Sequence, residues 1–341
     1  MIMKIVNNRP ITLILISNIF IFYIGFMALY TYSQNGFVSY LEVGKFILPL
    51  LSLLFLGLIG DQRKLSLLKV GILFFLFHFF ISLFFFSFTN PSDGRLHSSL
   101  LGRGANEFAF AIAFMMMLIH NKYLLPRVMY QCMSVRWLRY LAYIILAVLL
   151  FKSQSRSGTI LIGTYGTYYL ATNMSNILRL GYKKVTIGTL LVGMLGLIIL
   201  SILAYIAANN INLESFLSGR YDIWGKNIVY FRSFSVDELI LGSDFTNKII
   251  DLEDLRSISD SHSLYLDFFK YFGLFGVLTL LGALILNLKN NQISKSIFFA
   301  FLITNLVVTT FRYPYVFYVN VLMFTMISIR WDLIKKNYTN A

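Results

Sequence analysis

Five arginines, Arg95, Arg103, Arg156, Arg220 and Arg312, stand close to the ends of long apolar runs or inside the one long polar segment of the chain. Their chemistry is anion recognition: a guanidinium is always charged, and its planar donors grip a phosphate through two bonds at once. Ionisable groups near a bilayer are costly and mark function. Several of them converging on one cavity suit an anionic, lipid-linked ligand, whereas any single one is also explained as a snorkelling headgroup contact. Arg156 has the strongest individual case. It lies in Lys152-Ser153-Gln154-Ser155-Arg156-Ser157-Gly158, a short polar break between two apolar runs. So tight a turn keeps its polar groups at membrane depth, which is tolerated only where they line protein or a wet cavity. Ser155 and Ser157 add hydroxyls, and Gly158 permits close backbone approach. The plainer alternative is an ordinary hairpin loop.

His262 is the second kind of chemistry on offer. It begins an apolar run, and an unperturbed histidine titrates near neutral pH, so it can act as general base or acid. Asp260 and Asp267 are near in sequence and either could orient it. Asp267 and Lys270 have the spacing of a helical ion pair. A structural role is the alternative for an isolated histidine, and His78, His97 and His120 are assigned no role. No metal site is visible: the histidines lack paired ligand spacing, and Cys132 is the one cysteine, which also excludes a disulfide framework. Gly102-Arg103-Gly104 is too short for a phosphate loop. Ser261 and Ser263 lack the context of a nucleophile elbow.

The elements that position these residues are membrane helices. Hydrophobic residues make up 57% of 341, against roughly 45–50% in soluble domains, and charged residues only 13%. That leaves too little polar surface to cover a soluble core. Runs long enough to span, about 20 mostly apolar residues each, fall at 11–32, 43–60, 65–88, 105–121, 138–151, 157–173, 185–207, 263–286, 295–311 and 314–331. The chain is therefore read as all-α, a polytopic integral membrane protein of about ten transmembrane helices. It forms a single membrane domain over 1–341, with one large external loop at 207–262 inserted in it. The first run is longer than a signal-peptide core and no small-residue cleavage site follows it, so it reads as an uncleaved span.

Charge gives the orientation. On one side of this layout lie 17 basic residues, from Lys4 and Arg9 through Lys122, Arg127, Arg136 and Arg139 to Lys335 and Lys336, opposed only by Asp61 and Asp332. The 207–262 loop, on the other side, has nine acidic residues and five basic ones. The positive-inside rule puts both termini in the cytoplasm and the loop outside. The net charge of +14 is thus a record of topology, and no stretch looks like a nucleic-acid-binding module.

Three pieces, in order, resemble a known family. Ser155-Arg156-Ser157-Gly158 opens a span. Gly219-Arg220-Tyr221-Asp222-Ile223-Trp224 lies in the loop. His262-Ser263-Leu264-Tyr265-Leu266 runs into Gly273-Leu274-Phe275-Gly276. The set is similar to the O-antigen polymerase and O-antigen ligase superfamily of bacterial membrane glycosyltransferases, with its Ser-Arg-Ser/Thr, Arg-x-x-x-Trp, His-Asn/Ser-x-x-Leu and Gly-x-x-Gly pattern. Asn106-Glu107-Phe108-Ala109 also looks like that family's Asn-x-x-Ala. The resemblance covers roughly 100–280. It departs from the family in having fewer spans, and in reducing the family's glycine-rich segment to Leu241-Gly242-Ser243.

The resemblance implies that Arg156 and Arg220 bind the diphosphate of an undecaprenyl-diphosphate-linked oligosaccharide and that His262 activates or orients the acceptor hydroxyl. Ser155, Ser157, Trp224, Asp267, Arg103 and Arg312 would contribute to substrate binding. Glycosyl transfer would then occur on the outer face of the bacterial cytoplasmic membrane without metal, nucleotide or other cofactor. Membrane lipids and a chain-length regulator protein would be its partners. Polymerase and ligase share these motifs. A chain rich in Ile, Phe, Asn, Lys and Tyr looks like the product of a polysaccharide gene cluster of low GC content, which favours the polymerase. A flippase is the rival reading, but it calls for charge along a central pathway, and Glu107, Asp267 and Lys270 sit near the outer ends of their runs.

Overall fold

A computed structural model describes residues 50–91, 94–100, 105–177, 220–242, 249–250, 257–258, 263–307 and 314–331, and these are predominantly helical. After a helical stretch at 50–58 come α1 (Asp61–Phe85), a hairpin of β1 (Ser87–Thr89) and β2 (Leu96–Ser98), α2 (Ala105–His120) and a single 3-10 turn (Lys122–Leu124). Then follow α3 (Arg127–Ser134), α4 (Arg136–Ser153), α5 (Arg156–Ile177), α6 (Arg220–Phe231) and α7 (Val236–Leu241). A two-residue strand pair, β3 (Ile249–Ile250) with β4 (Ser257–Ile258), precedes α8 (Leu264–Asn287), α9 (Gln292–Val307) and α10 (Pro314–Ser328).

α1 shows why these are not the helices of a soluble bundle. Leu65, Leu68, Ile72, Phe75 and Phe79, spaced three and four apart, are buried against the protein. Its other face is just as apolar, with Leu67, Val70, Phe74, Phe77 and Phe84 all exposed. A helix that is hydrophobic all round yet half-exposed is satisfied by lipid, not water. α1 and α8, at 25 and 24 residues, are long and apolar enough to cross a membrane, and α3 with α4 makes a third if that pair, bent by 99°, is one span. α2, α9 and α10 are apolar but shorter; 16 residues rise about 24 Å against a hydrocarbon core of roughly 30 Å. The predicted spans at 11–32 and 185–207 lie outside the described residues.

α2 is the centre of the packing. It is buried along nearly its whole length, from Ala105 to Ile119, and is surrounded by α4, α5, α10 and β2. α9 packs on α5 and α10, α10 also on α1, and α8 on α9 and α10. Polar cross-links join the elements: Asn287 Nδ2 donates to Leu53 O at 3.1 Å, Tyr265 OH to Leu302 O at 3.0 Å and Asn121 Nδ2 to Tyr165 OH at 2.8 Å. Tyr318 OH donates to Gly71 O.

The all-α expectation meets two small departures. β1 and β2 pair antiparallel, Phe88 opposite His97, and β3 pairs with β4. The 65–88 span also ends earlier than its hydropathy suggests, because Ser87, Phe88 and Thr89 leave the helix for the hairpin. Among the described residues of the 207–262 segment, α6 and α7 are helical. α7 begins with a capping box in which Ser235 N donates to Glu238 Oε2 at 2.8 Å and Glu238 N to Ser235 Oγ at 3.3 Å.

Candidate functional site

The turn between α4 and α5 is the best-defined polar cluster. α4 ends at Ser153, and Gln154 then takes a left-handed conformation (φ 49°, ψ 30°) that reverses the chain, after which Arg156 is the first residue of α5. A left-handed residue usually closes a helix as glycine; glutamine there needs support from its surroundings. Arg95, arriving from the hairpin, supplies it. Its Nε donates to Ser153 O at 3.0 Å and its Nη2 approaches Gln154 O at 3.5 Å. A helix C-terminus leaves carbonyls without intrahelical donors, and a cation is the favoured group to meet them.

Asn106, in the first turn of α2, ties the next two residues in. Its Oδ1 accepts from Ser155 Oγ at 2.8 Å and from Arg95 Nη2 at 3.3 Å. Ser155 and Ser157 hydroxyls are 2.8 Å apart. Because the single proton of Ser155 goes to Asn106, Ser157 must donate to Ser155. Both serines are buried. One turn further on, α5 lies against α2: a Cβ on Gly158 would stand 2.6 Å from Ala109 O and 2.7 Å from Leu150 Cδ1. Asn106 and Ala109, three apart, share the face of α2 that receives this turn. Two sequence pieces some 50 residues apart, Asn106…Ala109 and Ser155…Gly158, therefore interlock, and Arg156 leaves from the point they hold. Beside them Glu107 is buried with its Oε2 lacking a hydrogen-bond partner, and Arg95 and His97 are its electrostatic neighbours. His97, on β2, stacks on the Phe88 ring at 5.8 Å.

A second junction joins the other two motifs. Arg220 is the first residue of α6, with Trp224 half-buried one turn on. The far end of α6 docks on α8: Phe231 meets Phe269 edge-on at 5.0 Å, and Lys270 Nζ lies 5.9 Å from the Tyr230 ring centroid. Asp267 and Lys270 are both buried in the first turns of α8. α7 then closes on α8 through two glycines. Gly273 interrupts α8 with φ 60° and ψ −162°, and Gly242 has φ 93°. A Cβ on Gly242 would collide with Tyr271 O, and one on Gly273 with Ile240 O, with Gly242 N at 2.6 Å. The reduced glycine segment and the first glycine of Gly-x-x-Gly are thus the two halves of one backbone contact.

Ser155 and Ser157 are brought together, and Trp224 and Asp267 lie on adjoining helices. Arg156 and Arg220 each open a helix, where the positive end of the dipole adds to their own charge. His262, Arg103 and Arg312 lie outside the described residues. Among the described residues no three His, Cys, Asp or Glu side chains come together as metal ligands. Sequence reasoning counted Arg95 only as one of five arginines and assigned His97 no role. The signal that could have raised Arg95 is its place in the polar connection between two apolar runs, eleven residues before Asn106. The chain matches no protein-family model, no curated protein and no solved structure.

Proposed function

We propose that this chain is a membrane glycosyltransferase of the O-antigen polymerase type, extending a lipid-linked glycan on the outer face of the bacterial cytoplasmic membrane. In this reading it is one polytopic domain with about ten spans, both termini in the cytoplasm and the 207–262 loop outside. The observation that carries the proposal is the network of Arg95, Asn106, Ser155 and Ser157, which holds the residue bearing the key guanidinium, Arg156, at the start of α5. A rigidly held turn is what an anion-binding arginine needs, since misplacement by about 1 Å costs most of the benefit of orientation.

The proposed step is a displacement at the anomeric carbon of the donor glycan. The bond from that carbon to the diphosphate oxygen breaks, and the acceptor hydroxyl oxygen forms the new glycosidic bond. The hydroxyl proton passes to His262, and Arg156 and Arg220 take up the charge left on undecaprenyl diphosphate. Trp224, Asp267, Ser155, Ser157, Arg103 and Arg312 line the approach of the substrates.

The test is made in cells that depend on this chain for surface glycan. Arg156→Ala, Arg220→Ala and His262→Ala are each expected to abolish long-chain polysaccharide at unchanged protein level. Normal chain lengths in all three would sink the assignment. Deletion separates the two activities that share these motifs: single repeat units on lipid A–core indicate a polymerase, whereas full-length chains retained on the carrier with an uncapped core indicate a ligase. Undecorated repeat units trapped on the inner face would instead indicate a flippase.

A further inference from the structure

Between Glu107 and Glu214 the chain contains no aspartate or glutamate. Inside that interval Lys122, Arg127, Arg136 and Arg139 gather around α3, so their counter-ions must come from outside the segment. Three further observations bear on what supplies them. The first is direction: α3 and α4 meet at 99° across Val135. α4 exposes Leu141, Ile144, Ile145, Val148 and Phe151 along its length, a surface suited to hydrocarbon, so with α4 across the bilayer α3 lies in the bilayer plane. The second is level. Trp137 and Tyr140, both exposed, stand at the α3 end of α4, and such side chains settle at the membrane–water boundary.

The third is the pattern of α3 itself. Met129 and Met133, one turn apart, pack on the hydrophobic core. Val128, 72% exposed, and Cys132 share the adjacent flank, while Arg127, Gln131 and Ser134 occupy the remaining face. At 100° per residue these are three separate sectors, matching protein, acyl chain and headgroup in turn. Lys122 is held to the headgroup sector, with its Nζ donating to Ser134 Oγ at 2.9 Å and lying 5.1 Å from the Tyr130 ring centroid.

We propose that α3 is an in-plane interfacial helix whose surrounding cations, Lys122, Arg127 and Arg136 foremost, bind the headgroups of anionic phospholipids. The inference needs only that α4 crosses a bilayer, and it stands apart from the glycosyl-transfer reading. It gives the protein a fixed depth on one side, which a bundle with short central helices otherwise lacks.

Cys132 makes the test direct, because it is the chain's one cysteine and is exposed on the acyl-facing flank of α3. The full chain, labelled there with an environment-sensitive fluorophore, is reconstituted into vesicles of phosphatidylcholine or of phosphatidylcholine mixed equally with phosphatidylglycerol. Lipids spin-labelled near the headgroup should quench the label more than those labelled at the chain end, and aqueous iodide should quench it weakly. At equal content, brominated phosphatidylglycerol should quench more than brominated phosphatidylcholine. That preference should drop about fivefold for each cation removed in Arg127→Gln and Arg136→Gln, and it should shrink in high salt. Iodide quenching as strong as for free dye overturns the proposal, as does equal quenching by the two lipids or a label that reports another protein's surface instead of lipid. If a variant fails to fold, the salt dependence of the unmodified chain decides: a preference indifferent to salt overturns it.

Discussion

At the residue scale, Asn106 is the hinge of the candidate site, because one carbonyl oxygen serves two donors from distant parts of the chain. Removing it strands the Ser155 hydroxyl in a buried turn and frees one arm of Arg95. An unsatisfied buried group costs roughly 1–3 kcal/mol. Asn106→Ala should therefore lower the thermal unfolding midpoint of the detergent-solubilised protein, whereas Asn106→Asp, which keeps the acceptor, should preserve it. Equal midpoints for Asn106→Ala and the parent would show that the network does not hold the turn. Part of this was legible beforehand. Ser155, Arg156, Ser157 and Gly158 announce themselves as a polar break in apolar sequence. Asn106 stands out only through the resemblance of Asn106-Glu107-Phe108-Ala109 to a family motif, and nothing in the sequence names Ser155 and Arg95 as its partners.

At the scale of elements, α8 is the instructive case. Its apolar length reads straight from the sequence as a span at 263–286 and is observed at Leu264–Asn287. The interruption at Gly273 is not readable that way, because glycine occurs in membrane helices without breaking them. It takes α7, arriving from the loop with Gly242, to make the break specific. φ 60° with ψ −162° is a region open essentially to glycine alone, and forcing another residue there costs about 1–3 kcal/mol before any collision is counted. Gly273→Ala should accordingly destabilise the protein and loosen α7, seen as faster hydrogen exchange over Val236–Leu241. Unchanged exchange there would mean that the glycine contact does not anchor the loop. α1 shows the opposite error of scale. Its first turn, Asp61-Gln62-Arg63-Lys64, is helical although polar, since Asp61 complements the helix N-terminus and Lys64 pairs with it at 3.7 Å. Hydropathy counts only the apolar residues and so starts the helix too late.

At the scale of the whole molecule, the distribution of charge makes a topological prediction that needs no activity assay. In a Cys132→Ser background, a cysteine at Asp251 should react with a membrane-impermeant maleimide in intact cells. In the same background, Asn290→Cys, in the connection beside Lys289 on the basic side, should react only after permeabilisation. The reverse pattern would invert the orientation and move the candidate site to the cytoplasmic side. The apolar surfaces of α1 and α4 agree with a lipid surround for the same reason that the net charge is read through its distribution along the chain. In each case the decisive quantity is where the residues lie, not how many there are.

Composition and periodicity by themselves determined that this chain is helical, apolar enough to enter a membrane and polarised in charge, and they marked Ser155–Gly158 as unusual. These properties are local or additive, so a one-dimensional reading captures them. The tertiary structure alone decided that Arg95 closes the end of α4 across 58 residues of chain, that Gly158 rests on the backbone of Ala109, and that Gly242 and Gly273 form one contact. Each depends on close approach between distant backbones. A carbonyl without a donor or a glycine without a Cβ has no pattern in sequence that says what will fill the space.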